Sequence, residues 1–281
     1  MSDDAGAIPS SLAVNILSEI YNPLDAPRFL YHYTHFAGLH AIVESKRLWA
    51  SYSKCLNDAS EQVHARRVLH SKFTEVARQL GFDSLGEPML PLARIFVSCF
   101  CESSEILSMW RSYGGDGGGF CIQFPYEALK LLVWPDIDVG YSHPHLSRTY
   151  YGEMPPIFTR YFDALLEEAR TQNLGLAHIA QWIPPFFPAM IKNAAFAEER
   201  EWRIICLNPP ERCLKFRSGA ARLTPYVELA VGGDFRQSLP ISSIFCGPGV
   251  DDSIQEVIRW MLEHNGYFGV EVHKSTIPYR I

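Results

Sequence analysis

The sequence predicts an α+β fold, on three observations. Strand-like apolar runs occur near both ends of the chain, helical periodicities fall between them at irregular intervals, and no internal repeat marks a regular strand-helix alternation. With 281 residues, 47% of them hydrophobic, the chain can bury a sizeable core. One α+β domain over 29–281 is expected, preceded by an N-terminal arm, 1–28, and carrying a helical insertion near 156–195.

Within the arm, Leu12 to Ile20 forms a short amphipathic piece, and the prolines of "NPLDAP" lead it into an extended approach to the first strand. In "LYHYTHFAGLHAIV" a strand gives way to a helix that Thr34 can cap and in which Phe36, Leu39, Ile42 and Val43 share a face. "RLWASYS" is a short strand. After "LNDASE", with Asp58 or Ser60 as the cap, Leu69, Phe73, Val76, Ala77 and Leu80 recur at helical spacing. "RIFVSCFC" and "GFCIQF" are strands, separated by a helical turn and the glycine stretch "GGDGGG", which is expected to be a mobile connection. Pro184, Pro185 and Pro188 break 156–195 into two helices. "EWRIICL", "YVEL", "ISSIFCG" and "GVEVHKS" follow as strands, with a last helix from about Asp251 to His264 that points Ile254, Val257, Ile258, Met261 and Leu262 inward.

A formal charge of −6 without a basic run gives no sign of a phosphate-tracking surface. Seven cysteines at irregular spacing, mostly inside apolar runs, imply buried thiols in a reducing compartment, so a cytoplasmic protein is expected. The acidic "MSDDAGAIPSS" does not read as a signal peptide, and no stretch is long and apolar enough for a bilayer span. No metal site is expected, since His143 with His145 and Cys99 with Cys101 lie apart from other ligand pairs. "GGDGGG" lacks the residues of a phosphate-binding loop or a dinucleotide fingerprint.

Several residues can carry chemistry. His32, beside Thr34 at a strand-to-helix junction, can hydrogen-bond a ribose or a phosphate, or be satisfied by backbone. Ser51, Ser53, Asn57, Asp58 and Glu61 supply more polar capacity than one turn and one cap require. Trp110 and Tyr113 put two rings on one side of a helical turn; Trp110 suits the core, and Tyr113, at the edge of the glycine stretch, suits a flat ligand. In "AEEREWRII", Glu199, Glu201 and Arg203 alternate and would share one face of a strand, either a solvated edge or a carboxylate site for ribose hydroxyls and a cationic sugar intermediate.

Together "YHYTHFAGLHAIVESKRLWAS", "LND", "SCF", "MWRSYG", "GFCIQF" and "EREWRII" resemble an uncharacterised bacterial family classed as a domain of unknown function, with a looser fit through "GPGVDDSIQEVI" and "STIPYR". That family is similar in layout to the ADP-ribosyltransferase superfamily, including its DNA-modifying toxins, which begin with a strand-borne His-x-Thr and carry a catalytic Glu late in the chain. The resemblance implies an ADP-ribosyltransferase-like split, bent β core with surrounding helices, gripping NAD as substrate. It implies His32 on the adenosine-side ribose, supported by Thr34 and Ser51, and Glu201 as the catalytic carboxylate on the nicotinamide ribose. Asn57, Asp58 and Arg203 join the NAD-binding set, and Tyr52 and Tyr113 compete to stack on nicotinamide. Glu199, two before Glu201, partly fits the pattern of arginine-modifying members. The implied activity is transfer of ADP-ribose to a protein or nucleic acid, in a toxin or phage-defence effector. The alternatives are NAD hydrolysis, RNA 2′-phosphotransfer, or nucleotide binding without catalysis.

Overall fold

The structure, a computed structural model, describes residues 9–56, 61–82, 93–134, 143–218, 223–232 and 237–279. In chain order its elements are α1 (Ser11–Tyr21), β1 (Phe29–Thr34), α2 (Phe36–Ser45), β2 (Leu48–Tyr52), α3 (Glu61–Gln79), β3 (Ile95–Phe100), α4 (Leu107–Ser112), β4 (Phe120–Pro125), α5 (Tyr126–Leu129), β5 (Leu132–Val133), β6 (His145–Arg148) and β7 (Tyr150–Tyr151). There follow α6 (Pro156–Thr171), α7 (Leu176–Gln181), β8 (Ile191–Lys192), β9 (Trp202–Leu207), β10 (Lys215–Ser218), β11 (Leu223–Val231), β12 (Ser243–Cys246), α8 (Ser253–His264) and β13 (Glu271–Lys274). The class is mixed α+β.

Two sheets carry the fold. The smaller has the order β1-β4-β12-β13; the larger runs β10-β11-β2-β3-β9-β6, with β5 paired to β11. Apart from the parallel β12-β13 and β7-β8 pairs, the ladders are antiparallel. Because side chains alternate along a strand, β3 and β9 bury both faces: Phe96, Ile204 and Cys206 enter a core shared with α2, α8 and the smaller sheet, while Ile95, Val97 and Ile205 enter a second core with α1, α3 and α6. That two-sided burial is why "RIFVSCF" and "RIICL" are almost continuously apolar. Within the N-terminal arm, α1 is a packed helix whose Ala13, Ile16 and Ile20 lie in the second core, and the Ser10 hydroxyl caps it by accepting from the Ala13 N–H.

Several local expectations change. The cap of α2 is His35, whose Nδ1 accepts from the Gly38 N–H at 2.8 Å; Thr34 is the last residue of β1, and its hydroxyl packs against Gly38. Segment 156–195 is helical only through α6 and α7, beyond which it passes into a 3₁₀ turn, Phe187–Met190, and then strand β8. In α8, Ile258 and Leu262 are buried, but Val257 is exposed. The caps expected from Asp58 or Ser60 lie outside the described residues.

The glycine stretch is a tight turn with fixed bonds, not a loose connection. Gly117 N–H donates to the Trp110 carbonyl at 3.1 Å, Gly119 N–H to Gly114 at 2.8 Å, and Gly249 N–H to Gly117 at 3.0 Å. Positive φ at Gly115, Asp116 and Gly117 explains the composition. A Cβ at Gly119 would sit 2.5 Å from the Thr34 carbonyl and 2.7 Å from that of Gly114, both backbone atoms that cannot swing away. Gly119→Ala is therefore expected to lower stability by about 1–3 kcal/mol, measured as the shift of a urea midpoint.

Candidate functional site

The two sheets meet at one edge of β3. On that edge Phe96 and Val97 pair with Tyr52 and Ser51 of β2, and Cys101, just past the strand, exchanges backbone hydrogen bonds of 2.9 and 2.8 Å with Tyr31 of β1. Between these contacts, Ser98–Phe100 meet no strand on that edge among the described residues. The ladder is therefore interrupted there, which leaves a gap in strand pairing between β1 and β2 along β3. Such a gap leaves backbone groups unpaired, which have to be satisfied by side chains, water or a ligand.

His32 meets one of those groups. Its Nδ1 lies 2.8 Å from the Cys99 carbonyl oxygen, with the ring tilted on Phe100 at 5.7 Å. A carbonyl can only accept, so Nδ1 carries the proton. Burial lowers the imidazole pKa, against the opposing effect of the Cys99 carbonyl, and the Arg217 charge lowers it further. The ring is neutral at pH 7, and Nε2 is left as an acceptor, suited to a hydroxyl rather than to a phosphate oxygen.

Cys99 pairs with Arg203 across β3 and β9, which sets its side chain on the sheet face where Arg203 binds Glu201. Glu201 is 4% exposed, and its Oε2 accepts from Lys192 Nζ at 3.1 Å and from Arg203 Nη2 at 2.7 Å. Arg203, 1% exposed, also grips Glu61 with both terminal nitrogens and donates to the Ala189 carbonyl. Lys192 bonds Glu199 at 2.6 Å, and the Tyr113 hydroxyl stands 3.5 Å from the other Glu199 oxygen. The Glu201 N–H donates to the Tyr151 hydroxyl at 2.7 Å.

Three carboxylates, Glu61, Glu199 and Glu201, thus face two cations, Lys192 and Arg203, leaving one surplus negative charge when all are ionised. Burial raises the Glu201 pKa, but Arg203 and Lys192 outweigh it and hold the carboxyl at about 2. For Glu199 burial prevails over Lys192 and its pKa is raised, which makes it the more easily protonated of the pair. Burial, with the adjacent Glu199, lifts the Tyr113 phenol to about 12. Because the folded-state pKa of Glu201 lies below its ordinary 4.5, its contribution to stability is full above about pH 4.5 and is lost as the pH falls toward about 2. The expected result is a urea midpoint that drops over this window in the wild type and drops less in Glu201→Gln.

The residues singled out from sequence are thus partly brought together. Glu201, Arg203 and Tyr113 belong to one network through Lys192 and Glu199, while His32 stands apart from it, on the Cys99 carbonyl and the Phe100 ring. Ser51 lines the β2 side of the gap, where its hydroxyl accepts from Arg217 at 2.8 Å. Tyr52 lies on Phe96 at 5.3 Å, against the first core, and Thr34 packs on Gly38 away from the His32–Cys99 contact. Asn57 and Asp58 lie outside the described residues. The alternation of Glu199, Glu201 and Arg203 holds for the last two. Glu199 ends a 3₁₀ turn, Arg200 takes a left-handed φ of 42°, and β9 begins after Glu201.

Lys192, Trp49, Tyr151 and Arg217 are not apparent from sequence. Lys192 alone leaves a signal, as a lysine closing the apolar run that ends in "PAMI". The surplus polar capacity noted at 51–61 is partly explained by Glu61, which holds Arg203. Trp110 is fully buried, its indole N–H donating to the Ser104 carbonyl at 3.0 Å, as expected of a core residue. Among the described residues no group of three metal-ligating side chains occurs, and no helix is long and apolar enough to cross a membrane.

A family model described as "Protein of unknown function (DUF2971)" matches residues 109–204. The matched segment begins on α4 and ends within β9, so it includes Tyr113, Lys192, Glu199, Glu201 and Arg203 and excludes His32 and Ser51. No curated protein and no solved structure matches the chain.

Proposed function

We propose that the protein is an NAD-dependent ADP-ribosyltransferase acting on a protein or nucleic acid, with NAD held in the gap between β1 and β2. The observation that carries this reading is that His32 and Glu201 reach the same stretch of β3: the imidazole on the Cys99 carbonyl, and the carboxylate on Arg203, the residue paired with Cys99. Such an arrangement has the makings of a split β core with a hydroxyl acceptor at one end and an ionised carboxylate at the other. The Nε2 of His32 takes a hydroxyl of the adenosine-side ribose. Glu201 takes the 2′-hydroxyl of the nicotinamide ribose.

In the reaction the bond between the anomeric carbon and the nicotinamide nitrogen breaks, its electron pair leaving with neutral nicotinamide. The resulting oxocarbenium-like sugar is attacked by a nucleophile of the acceptor, which gives up a proton. A carboxylate ionised down to about pH 2 is present as an anion throughout the physiological range, and the surplus negative charge of its cluster favours both the cationic nicotinamide ring and the cationic intermediate. Since Glu201 is 4% exposed, contact with the sugar requires side chains around it to move as the ligand enters. Tyr113 is then the ring placed to stack on nicotinamide.

One observation favours a second reading, nucleotide binding without catalysis: Lys192 and Arg203 both occupy the same oxygen of Glu201, which offsets its charge. One experiment separates the two. The protein is incubated with labelled NAD and cell extract, nicotinamide is measured by chromatography, and proteins and nucleic acids are searched by mass spectrometry for added ADP-ribose. Nicotinamide release with a modified acceptor supports transfer; nicotinamide and free ADP-ribose alone indicate hydrolysis. NAD binding with neither product leaves the binding module.

A further inference from the structure

Arg217 is not used by the mechanism above. It belongs to β10, whose side chains are all exposed, yet it turns inward across β11 to donate from Nη2 to the buried Ser51 hydroxyl at 2.8 Å. Its guanidinium carbon lies 5.5 Å from the centroid of Trp49, a half-buried ring tilted on Tyr226 at 4.7 Å. The indole N–H of Trp49 is buried without an acceptor among the described residues. No carboxylate pairs with Arg217 among the described residues, so a neutral hydroxyl and an aromatic face hold the cation in place while leaving its charge uncompensated. Burial lowers its pKa, as expected where water has been partly removed without a counter-charge.

The position of this cation is informative. Ser51 pairs with Val97 on β3, and Cys99 lies two residues further along the same face, so the guanidinium borders the gap that His32 enters from the opposite side. His32 registers the Arg217 charge. A neutral imidazole with a free acceptor nitrogen cannot bind an anion, whereas an arginine with four N–H groups beyond the one on Ser51 is a fork suited to phosphate oxygens.

We propose that Arg217, anchored by Ser51 and Trp49, is an anion subsite on the β2 side of the gap that takes the phosphate oxygens of a nucleoside diphosphate. This rests on the reading above in so far as the diphosphate is that of NAD. The subsite itself does not depend on any cleavage.

Calorimetry of the full chain with inorganic pyrophosphate, ADP-ribose and adenosine, for wild type, Arg217→Gln and Arg217→Lys, tests it. Arg217→Gln is expected to weaken pyrophosphate and ADP-ribose at least about tenfold while adenosine binding is unchanged, and Arg217→Lys to fall between, since it keeps the charge but loses the planar fork. Circular dichroism and the thermal midpoint check that each variant is folded, since the substitution removes the donor to Ser51 and the cation over Trp49. Wild type that binds no pyrophosphate, or Arg217→Gln that binds both phosphate ligands as wild type does, overturns the subsite. Arg217-dependent pyrophosphate binding without any binding of ADP-ribose or NAD keeps the subsite and removes the NAD reading. NAD cleavage that Arg217→Gln leaves unchanged, with pyrophosphate binding also unchanged, does the reverse.

Discussion

Arg203→Met is expected to destabilise the protein by about 3–5 kcal/mol, a fall in Tm of roughly 6–20 °C for a chain of this size. Arg203 is buried between Glu61 and Glu201, and its removal leaves two carboxylates deprived of their shared partner in a site that water does not reach. Lys192 remains on Glu201, but nothing comparable remains on Glu61 among the described residues. The loss is one of uncompensated charge rather than of packing, since methionine fills much of the same volume. Combining Arg203→Met with Glu61→Gln should consequently destabilise by less than the sum of the two single changes. Urea midpoints of the four proteins measure the coupling; strict additivity would mean that the pair does not act as a unit.

Glu201→Gln has the largest expected effect on activity. If the carboxylate stabilises a cationic sugar, nicotinamide release should fall about 10²–10³-fold per folded molecule. The same change also leaves Lys192 and Arg203 short of a negative charge, so it must lower stability, and loss of activity alone would not separate the two roles. Glu61→Gln supplies the control. It disturbs the same buried network from the α3 side, where no contact with NAD is proposed, and should reduce stability while the folded fraction keeps turning over. If Glu61→Gln and Glu201→Gln lose turnover in equal measure, Glu201 has a structural role and the proposed chemistry falls.

Much of the fold follows from local pattern because strands buried on both faces have a composition that no surface element shares. The runs "RIFVSCF" and "RIICL" become β3 and β9 for that reason; the break between the two helices of 156–195, by contrast, falls at 172–175 and not at the prolines, of which Pro188 lies inside a 3₁₀ turn. The short strands β5 to β8 and β10 carry no such signature. β7 and β8 have two residues each, and β10 is exposed throughout, so their pairing depends on partners far away in sequence.

The site divides in the same way. His32 is legible because it stands at a strand end among polar neighbours, and Glu201 with Arg203 because a two-residue spacing on a strand puts them on one face. Glu199 breaks that pattern through a left-handed Arg200, a backbone choice no side-chain periodicity reveals. Lys192 and Arg217 reach the site from a two-residue strand and an exposed edge strand. Their contacts with Glu201 and Ser51 are properties of the tertiary fold, as is the sharing of one β3 edge between two sheets.

Everything proposed for the site requires the ligand to lie along the edge of β3 between Ser51 and Tyr31. A crystal structure of the protein with ADP-ribose tests it most directly. A ribose hydroxyl on His32 Nε2, phosphate oxygens on Arg217, and the distal ribose turned toward Tyr113 and Glu201 are expected. ADP-ribose bound elsewhere, with the β1–β2 gap filled by water or closed by side chains, would contradict it.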